Sequence, residues 1–217
     1  MVYKVLKNNL FFLIPYAIIL LVSGFVLVVY SKPDIHIWLN GHNSGLSDRV
    51  FSHVTFLGDG IFVICIGVLL LFYSLRSSVF LLTAYLSTGL VVQILKRLIF
   101  SDYQRPVKYF HDTVQLHLVD GVRLLNGHSF PSGHSASAFA LFLSLAVISR
   151  NRYIQVICFI LACSVAYSRV YLSQHFLVDI FAGSLIGVIG TIALYPVFYS
   201  RDLKWHHWSL LKTGPNE

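Results

Sequence analysis

Polar residues in this chain fall into short clusters, and the apolar runs between them are too long for strands. Leu10–Tyr30 and Ile180–Tyr199 are uncharged over the roughly 20 residues that a helix needs to cross a bilayer. Ser77–Leu95 is uncharged between Arg76 and Lys96. Ile61–Leu75, Ser135–Ser149 and Tyr153–Ser168 are shorter, but Arg76-Ser77-Ser78 and Arg150-Asn151-Arg152 read as tight polar turns joining antiparallel helices. The pattern predicts an all-α, polytopic membrane protein of one domain over residues 1–217. Six transmembrane helices are expected at about 10–30, 60–75, 77–96, 134–149, 153–168 and 176–199.

The intervening segments add detail. Lys4 and Lys7 precede an uncharged stretch, Asn8–Ser31, that is too long for a signal-peptide core and lacks a small-x-small cleavage site, so a retained first helix is expected. In Ser31–Gly60 the stripe Val50, Phe51, Val54, Leu57 predicts a short amphipathic helix lying on the membrane interface. Arg97–Pro131 reads as a polar loop rich in His and Asp. Trp205, His206, His207 and Trp208 suit an interfacial anchor on the inner side.

Composition agrees with this layout. Of 217 residues, 56% are apolar and 12% charged, with a mean hydropathy of +0.73. That excludes a disordered chain, a coiled coil and an ordinary soluble enzyme. The net charge is +7, from 16 Lys and Arg against 9 Asp and Glu, but it is not gathered into the dense patch of a nucleic-acid binder. With the N-terminus inside, the inner face carries Lys4, Lys7, Arg76, Arg150, Arg152, Arg201, Lys204 and Lys212 against only Asp202 and Glu217. The outer face carries eight cations against seven aspartates. The basic excess is therefore a topology signal. Cys65, Cys158 and Cys163 lie in apolar runs with no disulfide or metal-ligand spacing.

Three ionisable clusters fall on the outer side: Lys96-Arg97 followed by Arg105-Pro106, then Pro131-Ser132-Gly133-His134, then Ser168-Arg169 with His175 and Asp179. Pro131 suits the first turn of a helix, whose free N–H groups bind anions. Lys96, Arg105 and Arg169 would add cations matched to phosphate oxygens. His175 and Asp179, four apart, share a helix face, so the carboxylate can hold the imidazole in one tautomer. His134 supplies a second imidazole. The remaining histidines, His36, His42, His53, His111, His117 and His128, read as solvated caps or interfacial residues.

Together, Lys96…Arg105-Pro106, Pro131-Ser132-Gly133-His134 and Ser168-Arg169-(five residues)-His175-(three residues)-Asp179 resemble the type 2 phosphatidic acid phosphatase superfamily. Phe130 and Thr55-Phe56-Leu57-Gly58-Asp59 are similar to its bacterial members. One departure is that eight residues separate Lys96 from Arg105, where six are common in the family, so either Lys96 or Arg97 can serve as the first-motif cation. The resemblance implies that His175 is the nucleophile forming a phosphohistidine, oriented by Asp179, and that His134 protonates the leaving oxygen. It further implies that Lys96, Arg105, Ser132, Gly133 and Arg169 hold the phosphoryl group, supported by Ser168, with no metal and no cofactor.

The expected function is hydrolysis of a lipid phosphate or diphosphate monoester at the periplasmic face of a bacterial inner membrane. Undecaprenyl diphosphate or a lipid A phosphate is preferred as substrate; phosphatidylglycerophosphate and phosphatidic acid are alternatives. A non-catalytic anion-binding or transport protein is the competing class. The expected partners are the lipid phosphate and the surrounding membrane lipids, with no nucleic acid, and the oligomeric state is left open.

Overall fold

The computed structural model describes residues 2–111, 113–200 and 208–211, and among these its elements are helices joined by loops, the longest loop being 110–132. The helices are α1 (Val2–Asn8), α2 (Leu10–Val29), α3 (Lys32–Gly41), α4 (Gly45–Val54), α5 (Gly60–Tyr73), α6 (Leu75–Ile94), α7 (Pro106–Tyr109), α8 (Gly133–Ser149), α9 (Arg152–Tyr171) and α10 (Leu177–Tyr199). Most starts carry the polar cap that leaves the first N–H groups satisfied. Ser31 accepts from Asp34, Asp59 from Ile61, Ser74 from Ser77 and Asn151 from Tyr153.

Four helical segments are long and apolar enough to cross a membrane: Leu10–Val29, Leu75–Ile99, Arg152–Tyr171 and Leu177–Tyr199. A fifth span results if Gly45–Gly58 and Gly60–Tyr73, bent by 55°, count as one. The apolar surface has no solvent role. Leu21, Val22, Phe25 and Val28 project outward from α2, Val28 at 86% exposure, which only a lipid environment tolerates over a whole helix.

The bundle is built around α8, which packs against α6, α9 and α10. This helix has 17 residues, about 25 Å of rise. Eleven of them are buried, many small: Ala136, Ala138, Ala140, Ser144 and Ala146. Small side chains permit the close helix approach on which packing in lipid depends. Gly183 and Gly187 of α10 complete the seam. A Cβ on Gly183 would run into the Ser132 carbonyl oxygen, and one on Gly187 into that of Ala136.

Several expectations need correction. The loop Ser31–Gly60 holds two helices: Ser31 caps α3, with Pro33 and Asp34 in its first turn. The predicted amphipathic helix is α4, but its Phe51 ring packs on Tyr167 and Tyr171 of α9, at centroid distances of 5.1 and 4.7 Å. Phe51, Val54 and Leu57 of that stripe are half-buried against protein, while Val50 is exposed. Pro131 lies outside α8, where Ser132 is the N-cap. α9 continues three residues past Ser168, which brings Arg169 into its last turn.

The opposite end of the bundle gathers the residues expected on the inner face. Gln155 Nε2 donates to the Asn8 carbonyl at 2.8 Å, joining the start of α9 to the end of α1. The Trp208 carbonyl accepts from Leu75 N at 2.8 Å, and Arg76 stacks on Tyr199 at 4.0 Å. Trp208 is exposed, whereas Trp205, His206 and His207 lie outside the described residues.

Candidate active site

The three sequence clusters converge at one end of the bundle. α6 runs on into a π-helical turn, Leu95–Ile99, which inserts one residue into the helix and absorbs part of the longer spacing to Arg105. It also decides between neighbours: Lys96 is buried and Arg97 is exposed. Arg105 caps the short α7. Its Nε donates to the Gly127 carbonyl at 3.0 Å, and its Nη1 to the Gln174 carbonyl at 3.0 Å and to Gln174 Oε1 at 3.3 Å. Arg169 Nη1 donates to Thr55 Oγ1 at 2.6 Å, while its buried Nε has no hydrogen-bond partner.

His175 lies between α9 and α10. The chain leaves α9 through Ser173, at φ +51, so that the N–H groups of Gln174 and His175 both bond the Arg169 carbonyl, at 2.9 and 3.0 Å. A left-handed residue past a helix C-terminus commonly closes it in this way. Here it ties the backbone of one cation to that of the imidazole. His175 Nδ1 is 3.3 Å from Asp179 Oδ2, and Nε2 is 3.4 Å from Arg105 Nη1. With Nδ1–H donating to the carboxylate, the Nε2 lone pair is available on the side where Arg105 sits. Burial pushes the His175 imidazole down to about 3, against the pull of Asp179, so the ring is neutral at ordinary pH.

Asp179 Oδ2 also accepts from Phe176 N at 2.9 Å and from Ser129 Oγ at 2.5 Å. Three donors on one oxygen hold this carboxylate in place. Lys96, Arg105 and Arg169 are each no more than 8% exposed, so three cations and one carboxylate share a buried region. An excess of buried positive charge is costly unless an anion arrives to balance it.

The remaining predicted residues are placed as follows. His134 is in the first turn of α8 and, with Arg169, lines a cavity of about 440 Å³ that Thr55, Asp59, Asp120 and Arg123 also border. Gly133, partly exposed, opens the same turn. Ser132 is fully buried: its hydroxyl accepts from Ser135 Oγ at 3.0 Å, and its N–H donates to the Asp179 carbonyl at 2.9 Å. Ser168 donates to the Val165 carbonyl at 2.7 Å, bonding its own helix. Ser132 and Ser168 thus spend these groups on the scaffold. Among the described residues, no three His, Cys, Asp or Glu side chains gather as a metal-binding group.

Sequence reasoning missed several residues that build the site. His36 is buried, not solvated: it stacks on Phe110 and meets Phe176 edge-on, and its Nε2 is 3.2 Å from Ser173 Oγ. Burial lowers its imidazole to about 4. Asn40, one turn on, donates to the same Ser173 hydroxyl at 3.2 Å and exchanges two bonds with the backbone of His117. His117 Nε2 is 2.9 Å from Asp48, whose carboxyl is held below its usual range first by Tyr171 and then by His117. The i, i+4 spacing of His36 and Asn40 was the available signal. Thr55 lies in the Thr55–Asp59 segment that is similar to bacterial members of the superfamily, whereas Ser129 and Gln174 carried no signal.

Comparison with known proteins agrees with the geometry. Residues 77–202 match the PAP2 superfamily. The chain belongs to that superfamily. It is 24% identical over 179 residues to the lipid A 4'-phosphatase of Porphyromonas gingivalis, covering 79% of this chain and 75% of that protein. It is 34% identical over 80 residues to the lipid A 4'-phosphatase of Bacteroides thetaiotaomicron, a match spanning 37% of this chain and only 35% of that protein. LpxE of Aquifex aeolicus superposes with a TM-score of 0.64 at 29% identity, covering 74% of this chain and 92% of that structure. A PAP2-type phosphatidylglycerolphosphate phosphatase from Bacillus subtilis gives 0.64 at 21% identity, covering 92% and 98%, a likeness of fold alone.

Proposed function

We propose that this PAP2 protein is a six-pass membrane phosphatase that removes phosphate from a lipid through a phosphohistidine, with its site facing the periplasm. The observation that carries the reading is His175: neutral, held at Nδ1 by Asp179 and faced at Nε2 by Arg105, among three buried cations.

In the first step Nε2 attacks phosphorus and the bond from phosphorus to the lipid oxygen breaks, with His134 giving its proton to that oxygen. In the second, water loses a proton to His134 and attacks phosphorus. The N–P bond breaks, inorganic phosphate leaves and His175 is restored. Asp179 stabilises the imidazolium character that develops on His175. Lys96, Arg105 and Arg169, with the Gly133 N–H, balance charge on the phosphoryl oxygens. Ser132 and Ser168 act through the scaffold. The chemistry needs no metal. Arg105 covers His175 in this structure, so its Nη1 must exchange Gln174 for a phosphoryl oxygen as substrate enters.

A lipid A phosphate is the favoured substrate, supported by the activity named for both bacterial relatives. Undecaprenyl diphosphate, phosphatidylglycerophosphate and phosphatidic acid are the alternatives. The orientation is supported by the basic residues at the opposite end, and α8 and the bent α4–α5 pair complete six spans. The test is phosphate release in detergent from these four lipids by the wild type and by His175→Ala. Release from lipid A that vanadate inhibits, EDTA spares and His175→Ala abolishes is expected. Undiminished release by His175→Ala refutes the mechanism, and preference for another lipid refutes the substrate.

A further inference from the structure

The turn Thr55–Gly58, which with Asp59 precedes α5, lies outside all three clusters, yet it is seated on two of them. Thr55 Oγ1 accepts from Arg169 Nη1 at 2.6 Å and is the one acceptor that hydrogen-bonds this guanidinium among the described contacts. A Cβ on Gly58 would lie 3.0 Å from the His134 carbonyl oxygen and 2.5 Å from Val165 Cγ1, so only glycine lets the turn rest on both α8 and α9. Asp59 then borders the cavity that His134 and Arg169 line, and its carboxylate attracts both. Asp59 Oδ1 already caps α5, accepting from Ile61 N at 2.8 Å, so its carboxylate is held in one place.

We infer that this turn is a fourth element of the active site, in which Thr55 positions Arg169 and the Asp59 carboxylate, across the shared cavity, offsets the cations that crowd His134. The inference rests on the phosphatase reading, since it gives the leaving-group acid its partner. The groups around His134 explain why a partner is needed. Burial acts first against an imidazolium there, and Arg169 from α9, Arg105 from the loop after α6 and Lys96 from the π-helical turn that ends α6 repel it as well. Across the cavity stand His53, Arg123 and Asp120. Asp59 is the carboxylate whose field opposes the three cations at His134. Without it, a general acid beside three positive charges loses its proton too readily to give one to the leaving oxygen.

Asp59→Asn separates charge from structure, because asparagine caps a helix as well as aspartate does. The alkaline limb of the kcat–pH profile should move to lower pH by about half a unit to one unit, and the His134 imidazole, followed by NMR of histidine-labelled protein in detergent, should titrate lower by the same amount. For Thr55, orthovanadate is the probe. Thr55→Val, which keeps the branched shape and loses the acceptor, should weaken vanadate binding about tenfold, and Thr55→Ser should restore it. An Asp59→Asn profile and His134 titration that overlay the wild type overturn the role of Asp59. Unchanged vanadate affinity in Thr55→Val overturns that of Thr55. If the wild type releases no phosphate from any lipid, the phosphatase reading fails by itself, while the NMR titration and vanadate binding still decide the turn.

Discussion

Gly183→Ala tests whether helix packing, rather than the motif residues alone, sets the geometry of the site. Gly183 faces the Ser132 carbonyl oxygen so closely that an added Cβ would overlap it, and would also come within 3.1 Å of Ser135 Cβ. Both obstacles are fixed: one is backbone, and the other belongs to a residue buried in the first turn of α8. Restoring ordinary contact requires α10 to move away from α8 by about 1 Å. The same stretch of α10 carries Asp179, whose carbonyl accepts from Ser132 N at 2.9 Å. Displacing it shifts Asp179, and with it His175, relative to His134. A misplacement of about 1 Å at a reacting centre costs on the order of 10²-fold in rate, and overpacking a tight seam costs about 1–3 kcal/mol of stability. Phosphate release should therefore fall about a hundredfold in kcat/KM, with an apparent Tm several degrees lower. The control is Gly89→Ala in α6, where a Cβ meets nothing within 4 Å. It should leave kcat/KM unchanged and raise the apparent Tm slightly. Wild-type kinetics and melting for Gly183→Ala would show that the α8–α10 seam does not set the site.

Three further outcomes follow from the same contacts. His175 and His36 fold as neutral imidazoles, lowered to about 3 and about 4, whereas unfolded histidines take up protons below about pH 6.5. Their contribution to stability is thus whole above about pH 6.5 and is lost as pH falls toward 4, at up to about 1.4 kcal/mol per histidine per unit. The apparent Tm of detergent-solubilised protein should drop across that range, and a flat profile would contradict the burial of both rings. Ser129→Ala removes one of three donors to Asp179 Oδ2, a charge-assisted bond worth about 1.5–3 kcal/mol. The expected result is a fall in kcat of roughly tenfold or more with KM little changed; a change confined to KM would place Ser129 in lipid binding instead. Lys96→Ala should lower kcat/KM by at least about tenfold and Arg97→Ala by less than about twofold, since Lys96 is buried beside Arg105 and Arg169 while Arg97 is exposed. The reverse order, measured on the same lipid phosphate, would exchange their roles.

Much of this protein is determined by local sequence. Uncharged runs near the length of a bilayer crossing mark the helices, because desolvating a charge costs more than any local preference can offset. The types and order of Lys96, Arg105, His134, Arg169, His175 and Asp179 carry the proposed chemistry, since phosphoryl transfer of that kind requires cations, a nucleophile and an acid whatever the scaffold. Tertiary structure alone decided the rest. That α8 is the centre of the bundle depends on Gly183 and Gly187, whose missing side chains matter only against Ser132 and Ala136. Whether Lys96 or Arg97 turns inward depends on one residue of π-helical register, about 100° of rotation that hydropathy does not record. Ser168 looks like a site residue but bonds Val165, whereas Thr55, Ser129 and His36 lie outside the three clusters but hold Arg169, Asp179 and the loop before His175. Those three contacts join residues 114, 50 and 137 positions apart, and such pairings exist only once the helices have packed.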